Sequence, residues 1–310
     1  MRWKDFLGNN ALMMITAFIV AMLFGGLPEA YPRMNKDAAM FALMVMMSFA
    51  LCNLKLRGLT VGSHTYSVQR AFVLSFLLST GTTIAMAFLF SGEIRDGWIL
   101  EAAVPSAVSV IPFVLILRGD LEATLVSSAG LYFIALLFTP FLTLVFIGQA
   151  VSVITLLWYV GFLIVVPIIV SRLLRQLDLD PGSRHIAINI AFFVLVVAVA
   201  GSNRGVFFGE PVLLLALIAV AAVRTFGIGI GLDAYNRWRG LPWGRRVPEV
   251  LFATHKNTGM AAALAIALIG DAAAVPATVC MTVDIAWLIY VSRFMFPRSK
   301  RDADETSAPG

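Results

Sequence analysis

EAAVPSAVSVIPFVLILRGD, residues 101–120, and FATHKNTGMAAALAIALIGD, residues 252–271, are the stretches that decide the fold of this chain. Each is an apolar segment interrupted near its middle, the first by Pro105 and Pro112 and the second by the polar run 256–259. Each ends in Gly-Asp, and the two lie 151 residues apart, about half of the chain. Unwound backbone at membrane depth is tolerated only where it packs against protein or lines a cavity. Paired interruptions of this kind are typical of binding sites in secondary transporters.

The composition excludes a soluble domain with a single anchor. Of the residues, 60% are hydrophobic and 13% are charged, and the mean hydropathy is +0.89. Soluble domains are about 25% charged. The net charge of +5 comes from basic residues in short loops between apolar segments, which predicts a lipid bilayer and no nucleic acid as partner. Cys52 and Cys280 lie in apolar segments, and no ligand spacing predicts a metal or cofactor.

Segments long enough to span a bilayer, about 20 residues each, predict an all-α membrane protein. A polar tail, 298–310, is expected to be disordered. The ten predicted spans are 9–26, 37–54, 68–90, 97–117, 122–147, 150–172, 185–201, 209–232, 249–269 and 273–296.

The distribution of basic residues predicts the orientation. Termini and even-numbered loops hold 17 of the 23 Lys and Arg residues, the opposite side holds 4, and Arg224 and Lys256 lie within spans. The bias predicts a multi-pass protein of the cell inner (plasma) membrane with both termini in the cytoplasm. Ten spans divide into two repeats of five spans, residues 1–148 and 149–297. Because each repeat contains an odd number of spans, the two repeats must have opposite orientations in the membrane.

Two runs carry a resemblance to a known family. PSAVSVIPFVLILRGDLEATLVSSAGLYFIALLFTPFLT, residues 105–143, is similar to the fourth and fifth spans of the bile acid:sodium symporter superfamily. THKNTGMAAALAIALIGDAAAVPA, residues 254–277, looks like its ninth span. The resemblance covers residues 10–296 and implies ten spans, two crossing broken helices and transport.

The chain departs from that family where sodium-coupled members carry polar ligands. Phe252 occupies the position of a Glu, Lys256 that of a Gln, and Val110 and Ile111 those of a Ser-Asn pair. Hard cations take several oxygen ligands. The departures therefore argue against a sodium site of that kind, and a fixed cation would replace the metal electrostatically.

Lys256 is the first candidate site residue, because a mid-span charge costs about 2.5–3.5 kcal/mol and marks a functional site by default. It attracts an anionic substrate, releases a proton during the cycle, or serves as a structural cation on the open carbonyl ends of the broken helices. Asp284, deep in the last span, pairs with Lys256, forms a proton relay with it, or faces a polar crevice. Glu101 is expected near the start of the fourth span and Arg224 near the cytoplasmic crevice.

The remaining candidates for substrate or ion binding sit at the two breaks and offer donors and acceptors there. The serines among them have the alternative of bonding to their own helix backbone. These candidates are Ser106, Ser109, Pro112, His255, Asn257 and Thr258.

The sequence therefore predicts a secondary transporter of small organic anions that works by alternating access. Its substrate would bind where the fourth and ninth spans cross, with a proton or sodium as the coupling ion and sodium-independence favoured. One alternative is a cation/proton antiporter-like ion exchanger, against which no adjacent pair of mid-span aspartates is found. The other is an intramembrane enzyme using His255, Lys256 and Asp284, which no nucleophile-and-base spacing supports.

Overall fold

The computed structural model describes residues 3–28, 34–52, 64–148, 152–177 and 179–297, and every regular element in these ranges is a helix. The predicted tail, 298–310, lies outside the described residues, as do 53–54 and 150–151 at the ends of two predicted spans. The helices are α1 Trp3–Leu7, α2 Asn10–Phe24, α3 Met34–Leu51, α4 Thr65–Ala87, α5 Gly92–Ala103, α6 Val110–Ile116, α7 Leu121–Phe146, α8 Val153–Gln176, α9 Pro181–Ser202, α10 Arg204–Gly209, α11 Pro211–Trp238, α12 Trp243–Thr254, α13 Thr258–Leu268 and α14 Ala272–Met295.

The chain is a multi-pass membrane protein. Seven helices of the described ranges are long and apolar enough to cross a bilayer, namely α3, α4, α7, α8, α9, α11 and α14. Large apolar side chains on several of them point outward, as lipid-facing residues do; Leu137 is 77% exposed and Val212 is 81% exposed. A soluble protein rarely exposes so much contiguous apolar surface to water.

These seven helices coincide with the second, third, fifth, sixth, seventh, eighth and tenth predicted spans. The seventh is longer than the predicted 185–201, because α9 already begins at Pro181. Asp180 caps that helix by accepting a hydrogen bond from the Ser183 backbone N–H at 2.8 Å. Proline suits the first helical position, where its missing N–H costs nothing. The apolar pattern alone did not reveal this polar first turn.

The helices pack in two groups. In the first, α9 lies against α2 and α3, and α3 lies against α8. The second group contains α4 to α7 and α11 to α14, with α5, α13 and α14 packed on one another. The groups meet where α13 contacts α3 and α8, and where α7 contacts α8.

Three of the long helices in the described ranges contain a π-helical turn; one, Val291–Met295, ends α14, and the other two lie within α4 and α11. In α4 the turn covers Val73–Ser79, and in α11 it covers Val223–Gly227. The turns of α4 and α11 begin 150 residues apart, within one residue of the spacing between the two Gly-Asp turns. π-turns widen a helix locally and are frequent at functional sites. Both turns present polar side chains to the two interrupted helices.

Candidate functional site

Both predicted helix breaks are present. The first broken helix consists of α5 and α6 with the break at residues 104–109, and the second consists of α12 and α13 with the break at residues 255–257. Pro105 interrupts the first because proline has no N–H to donate and disfavours a helical conformation at Val104, which is extended. Pro112 was predicted to share in this break and the site. It lies instead inside the first turn of α6, where proline is tolerated, and it is exposed.

The two breaks are joined by backbone hydrogen bonds. The N–H of Ala107 donates to the carbonyl of His255 at 3.0 Å, and the N–H of Asn257 donates to the carbonyl of Pro105 at 2.9 Å. Ser106 and Lys256 are thereby paired as in a single antiparallel β-bridge. Each break satisfies backbone groups of the other, which unwound backbone needs in the absence of water.

The lengths of the half-helices put this meeting point near the middle of a bilayer. The helices α5 and α12 contain 12 residues each, which is about 18 Å at about 1.5 Å per residue. A hydrocarbon core is about 30 Å thick. Each half-helix therefore spans a little more than half of it.

Lys256 is buried at the meeting point and its ammonium group is fully hydrogen-bonded. Nζ donates to Thr80 Oγ1, to the Ala102 carbonyl and to the Val104 carbonyl, each at 2.9 Å. It also lies 4.9 Å from the centre of the Phe76 ring. An ammonium has three N–H donors, and here each has an oxygen acceptor. Lys256 thus neutralises the negative, carbonyl end of α5.

Two sequence-based alternatives for Lys256 are decided by this geometry. The pairing of Lys256 with Asp284 is wrong, because Asp284 binds a different cation. The structural alternative, a cation on the open carbonyl ends of a broken helix, is the arrangement observed. Thr80, which follows the π-turn of α4, completes the site and was missed. Its signal in the sequence was a polar residue every few positions in an otherwise apolar span.

Arg224 forms a buried charge cluster with two carboxylates. Nη1 donates to Glu101 Oε1 and Nη2 donates to Asp284 Oδ1, both at 2.9 Å. Thr225 donates a further hydrogen bond to Asp284 Oδ1 at 3.3 Å. Glu101 and Arg224 are fully buried and Asp284 is 3% exposed. The ion cluster therefore connects three helices, α5, α11 and α14, next to the two breaks.

The positions of Glu101 and Arg224 differ from the predictions. Arg224 does not reach a cytoplasmic crevice, because the π-turn of α11 directs it into the protein. Glu101 lies two residues before the end of α5 and not near the start of a span, because that helix begins at Gly92. Hydropathy locates spans but not which face of a span meets a partner. The ion cluster therefore had no sequence signal beyond the presence of charges.

His255 connects the charge cluster to Ser109. Its Nε2 lies 2.9 Å from Ser109 Oγ, and its Nδ1 lies 3.8 Å from Asp284 Oδ2. His255 is 8% exposed, whereas Ser109 is half-buried. From the half-buried end inward, the groups follow in the order Ser109 hydroxyl, His255 imidazole, Asp284 carboxylate, Arg224 guanidinium and Glu101 carboxylate.

Ser106 and Asn257 serve the broken helices themselves. The Ser106 hydroxyl donates to the Phe252 carbonyl at 3.1 Å and lies 2.8 Å from Ser75 Oγ. It bonds across to the other broken helix, not to its own. Asn257 caps α13, since its side-chain oxygen accepts from the Met260 N–H at 3.1 Å.

The Asn257 amide also reaches a residue that the sequence analysis missed. Its side-chain nitrogen donates to the Tyr132 hydroxyl on α7 at 2.9 Å. Thr258 is half-buried, and its backbone N–H donates to the Lys256 carbonyl at 2.9 Å. The structure thus brings together seven of the eight predicted site residues and leaves Pro112 outside.

The positions at which the resemblance predicts polar sodium ligands are apolar and buried here. Val110, Ile111 and Phe252 are at most 9% exposed and present no side-chain oxygen. At the remaining one of these positions, the ammonium of Lys256 contacts three oxygen atoms. A fixed positive charge therefore occupies the break.

The described residues line at least two cavities. The larger, of about 260 Å³, is apolar and lies between α2, α9 and α14. The smaller, of about 70 Å³, lies between α4, the start of α7 and α12, and is bordered by Arg70, Arg245, Asp120, Glu249 and Phe252. Phe252 belongs to the last turns of α12, so the smaller cavity approaches the second break.

Comparison with protein-family models gives no match for this chain, and comparison with curated proteins gives none either.

Proposed function

We propose that this chain is a secondary transporter of small organic anions, with its substrate bound where the two broken helices meet. One observation carries the proposal: two interrupted helices, half a chain apart, are joined at their breaks by reciprocal backbone hydrogen bonds around a buried lysine. Such breaks are costly in a membrane and are used by transporters to build a polar site at the midplane.

The proposal includes ten spans arranged as two inverted five-span repeats. Seven long helices, the shorter α2 and the two broken helices would together make ten crossings. The matched π-turns of α4 and α11 support the repeat, because they keep the same spacing as the breaks and the Gly-Asp turns.

Contacts between loops support the same topology. Segments assigned to the cytoplasmic side touch each other, as in the ion pair of Arg70 with Glu249 at 3.3 Å. Segments assigned to the opposite side also touch each other: Lys36 Nζ donates to the Ala267 carbonyl at 2.9 Å, and Arg204 donates to the Leu23 carbonyl at 3.3 Å. A miscounted span would pair segments of opposite assignment.

The proposal also makes the chain a divergent, sodium-independent member of the bile acid:sodium symporter superfamily. Support comes from the motif resemblance and from the ammonium of Lys256, which meets three oxygens as a bound cation would. The positive charge of Lys256 lies at the break itself, whereas the excess negative charge of the Glu101–Arg224–Asp284 cluster lies on the adjoining helices, so the local field at the break favours an anionic substrate.

Transport requires movement, because the meeting point is packed. Ser106, His255, Lys256 and Asn257 are all less than 9% exposed. We expect the two helix groups to rock against each other, so that the breaks open alternately to each side. We expect the cytoplasmic opening to begin at the smaller cavity beside Phe252.

The buried carboxylates Glu101 and Asp284 favour one alternative, a cation/proton exchanger. Both, however, already bind the guanidinium of Arg224. A bare cation would have to compete with that fixed charge, which makes an anion the better substrate.

The test begins with thermal-shift screening of organic acids against the purified protein, across pH and with and without sodium. The acids that stabilise it are then assayed in proteoliposomes by counterflow. We expect exchange of unchanged radiolabelled acid. Formation of a product from that acid by the detergent-purified protein, with no counterflow, would instead identify an enzyme.

A further inference from the structure

The hydrogen-bonded chain from Ser109 through His255 to Asp284 has an unfilled position. His255 Nδ1 and Asp284 Oδ2 are both buried, both lack a hydrogen-bond partner, and lie 3.8 Å apart. Unpartnered buried polar atoms are uncommon in native proteins and call for an explanation. Here they face each other, so one proton and a small movement would satisfy both.

We propose that His255 and Asp284 form a proton-binding site, which makes the proton the coupling ion of the proposed anion transport. The proton enters from the half-buried Ser109 side and binds the imidazole. The imidazolium then donates from Nδ1 to Asp284 Oδ2 and from Nε2 to Ser109 Oγ, so that both ring nitrogens act as donors. On release the proton returns to water and the imidazole is neutral again. This inference depends on the proposed function for its role in coupling.

The surrounding charges suit a single exchangeable proton. The charged groups that act on His255 are Asp284 on α14 and Arg224 on α11; Arg224 is in turn close to Glu101 on α5 and Cys280 on α14, and Lys256 is the next residue in the chain. With Cys280 as a neutral thiol, the two carboxylates and the two cations cancel. A proton on His255 adds one net positive charge beside the break, and a singly charged anion restores neutrality. Proton and anion binding are therefore mutually favourable.

Lys256 does not supply this proton. All three of its N–H donors have acceptors, two of which are backbone carbonyls at the end of α5. Deprotonation would remove the charge and one of the three N–H donors that hold the carbonyl end of α5. The sequence analysis allowed Lys256 both a fixed charge and a proton released during the cycle. In this proposal Lys256 carries the fixed charge and His255 carries the exchangeable proton.

The test follows the imidazole of His255 directly in the purified protein by nitrogen NMR. The exposed His185 and the half-buried His64 are replaced by glutamine, which leaves His255 as the sole labelled histidine. We expect its signal to report a reversible protonation of the imidazole as the pH is lowered. Asp284→Asn should lower the midpoint by about one pH unit or more, because the imidazolium loses its counter-charge.

Glu101→Gln is the matched control. It also removes one carboxylate from Arg224, but Glu101 does not face His255, so we expect less than half of the Asp284→Asn shift. Ser109→Ala lies outside the ion cluster and gives a second readout: it should also lower the midpoint.

Equal shifts in Asp284→Asn and Glu101→Gln, or no titration of His255 in the parent protein, would overturn the inference. Because NMR requires no substrate, a failure of counterflow would overturn the proposed function and leave the proton site standing.

Discussion

Lys256 places a permanent positive charge where the two broken helices meet, and the same residue holds the end of α5 in place. The ammonium takes the role that a metal ion plays when it gathers backbone carbonyls at a break. Unlike a metal ion, it cannot leave. Under the proposed function, Lys256 supplies a fixed positive charge where a sodium-coupled transporter would bind a reversible cation.

Replacement of Lys256 tests both roles. Lys256→Met should lower stability by about 2 kcal/mol, because it leaves the buried Val104 carbonyl without a donor and removes one of the two donors to the Ala102 carbonyl. Thermal unfolding in detergent measures this. Lys36→Met is the matched control, since Lys36 also donates to a backbone carbonyl but at a half-buried helix end. A similar loss in both variants would contradict a special role for Lys256.

Lys256→Gln should weaken anion counterflow by about tenfold or more, which corresponds to about 1.4 kcal/mol. The amide removes the charge but restores an oxygen, so a sodium-stimulated component of uptake is expected to appear. Lys256→Arg should also weaken counterflow, because the planar guanidinium is larger and cannot present three donors to the same compact set of oxygens. Normal uptake by Lys256→Gln without sodium would show that the charge is not used.

Arg224 is predicted to be the most sensitive single residue for stability. Arg224→Met leaves Glu101 and Asp284 buried without a cation, which costs about 3–5 kcal/mol. Glu101→Gln should cost much less, because the pair of Arg224 with Asp284 remains. The measurement is the thermal midpoint of each variant in detergent. Equal losses would mean that the cluster does not act as an ion pair network.

At the scale of elements, the sequence predicted the two helix breaks but not the side chains of other helices that surround them. Pro105 and the polar run 256–259 disrupt helices by local chemistry, so they are visible in one sequence. The ion cluster of Glu101, Arg224 and Asp284 depends on how three helices turn about their axes. Neither hydropathy nor spacing records that rotation. The π-turns that produce part of it leave no local signal either.

The packing of α5 provides a prediction at this scale. A Cβ on Gly97 would lie 2.0 Å from the Ala273 carbonyl oxygen, so α5 sits directly on the first turn of α14. Gly97→Ala should cost about 1–3 kcal/mol through forced backbone movement. Gly81→Ala is the control, because nothing lies within 4 Å of its added Cβ. A neutral Gly97→Ala in thermal unfolding would refute the close approach.

At the scale of the whole molecule, the account depends on orientation. The bias of 17 basic residues against 4 predicts that both termini and the loop before α12 lie in the cytoplasm. Reporter fusions after Arg246 and after Lys300 should therefore both report cytoplasm. A periplasmic signal from either fusion would mean that a span is miscounted and that the two halves are not inverted.

The central claim is that a fixed lysine has replaced sodium at the meeting point of the two broken helices. The most direct test is the initial rate of anion uptake in proteoliposomes with sodium replaced by potassium at constant pH. The account predicts an unchanged rate, because Lys256 supplies the positive charge and Val110, Ile111 and Phe252 offer no side-chain ligand. A fall to background on removal of sodium would contradict it and show that a sodium site is built from other groups.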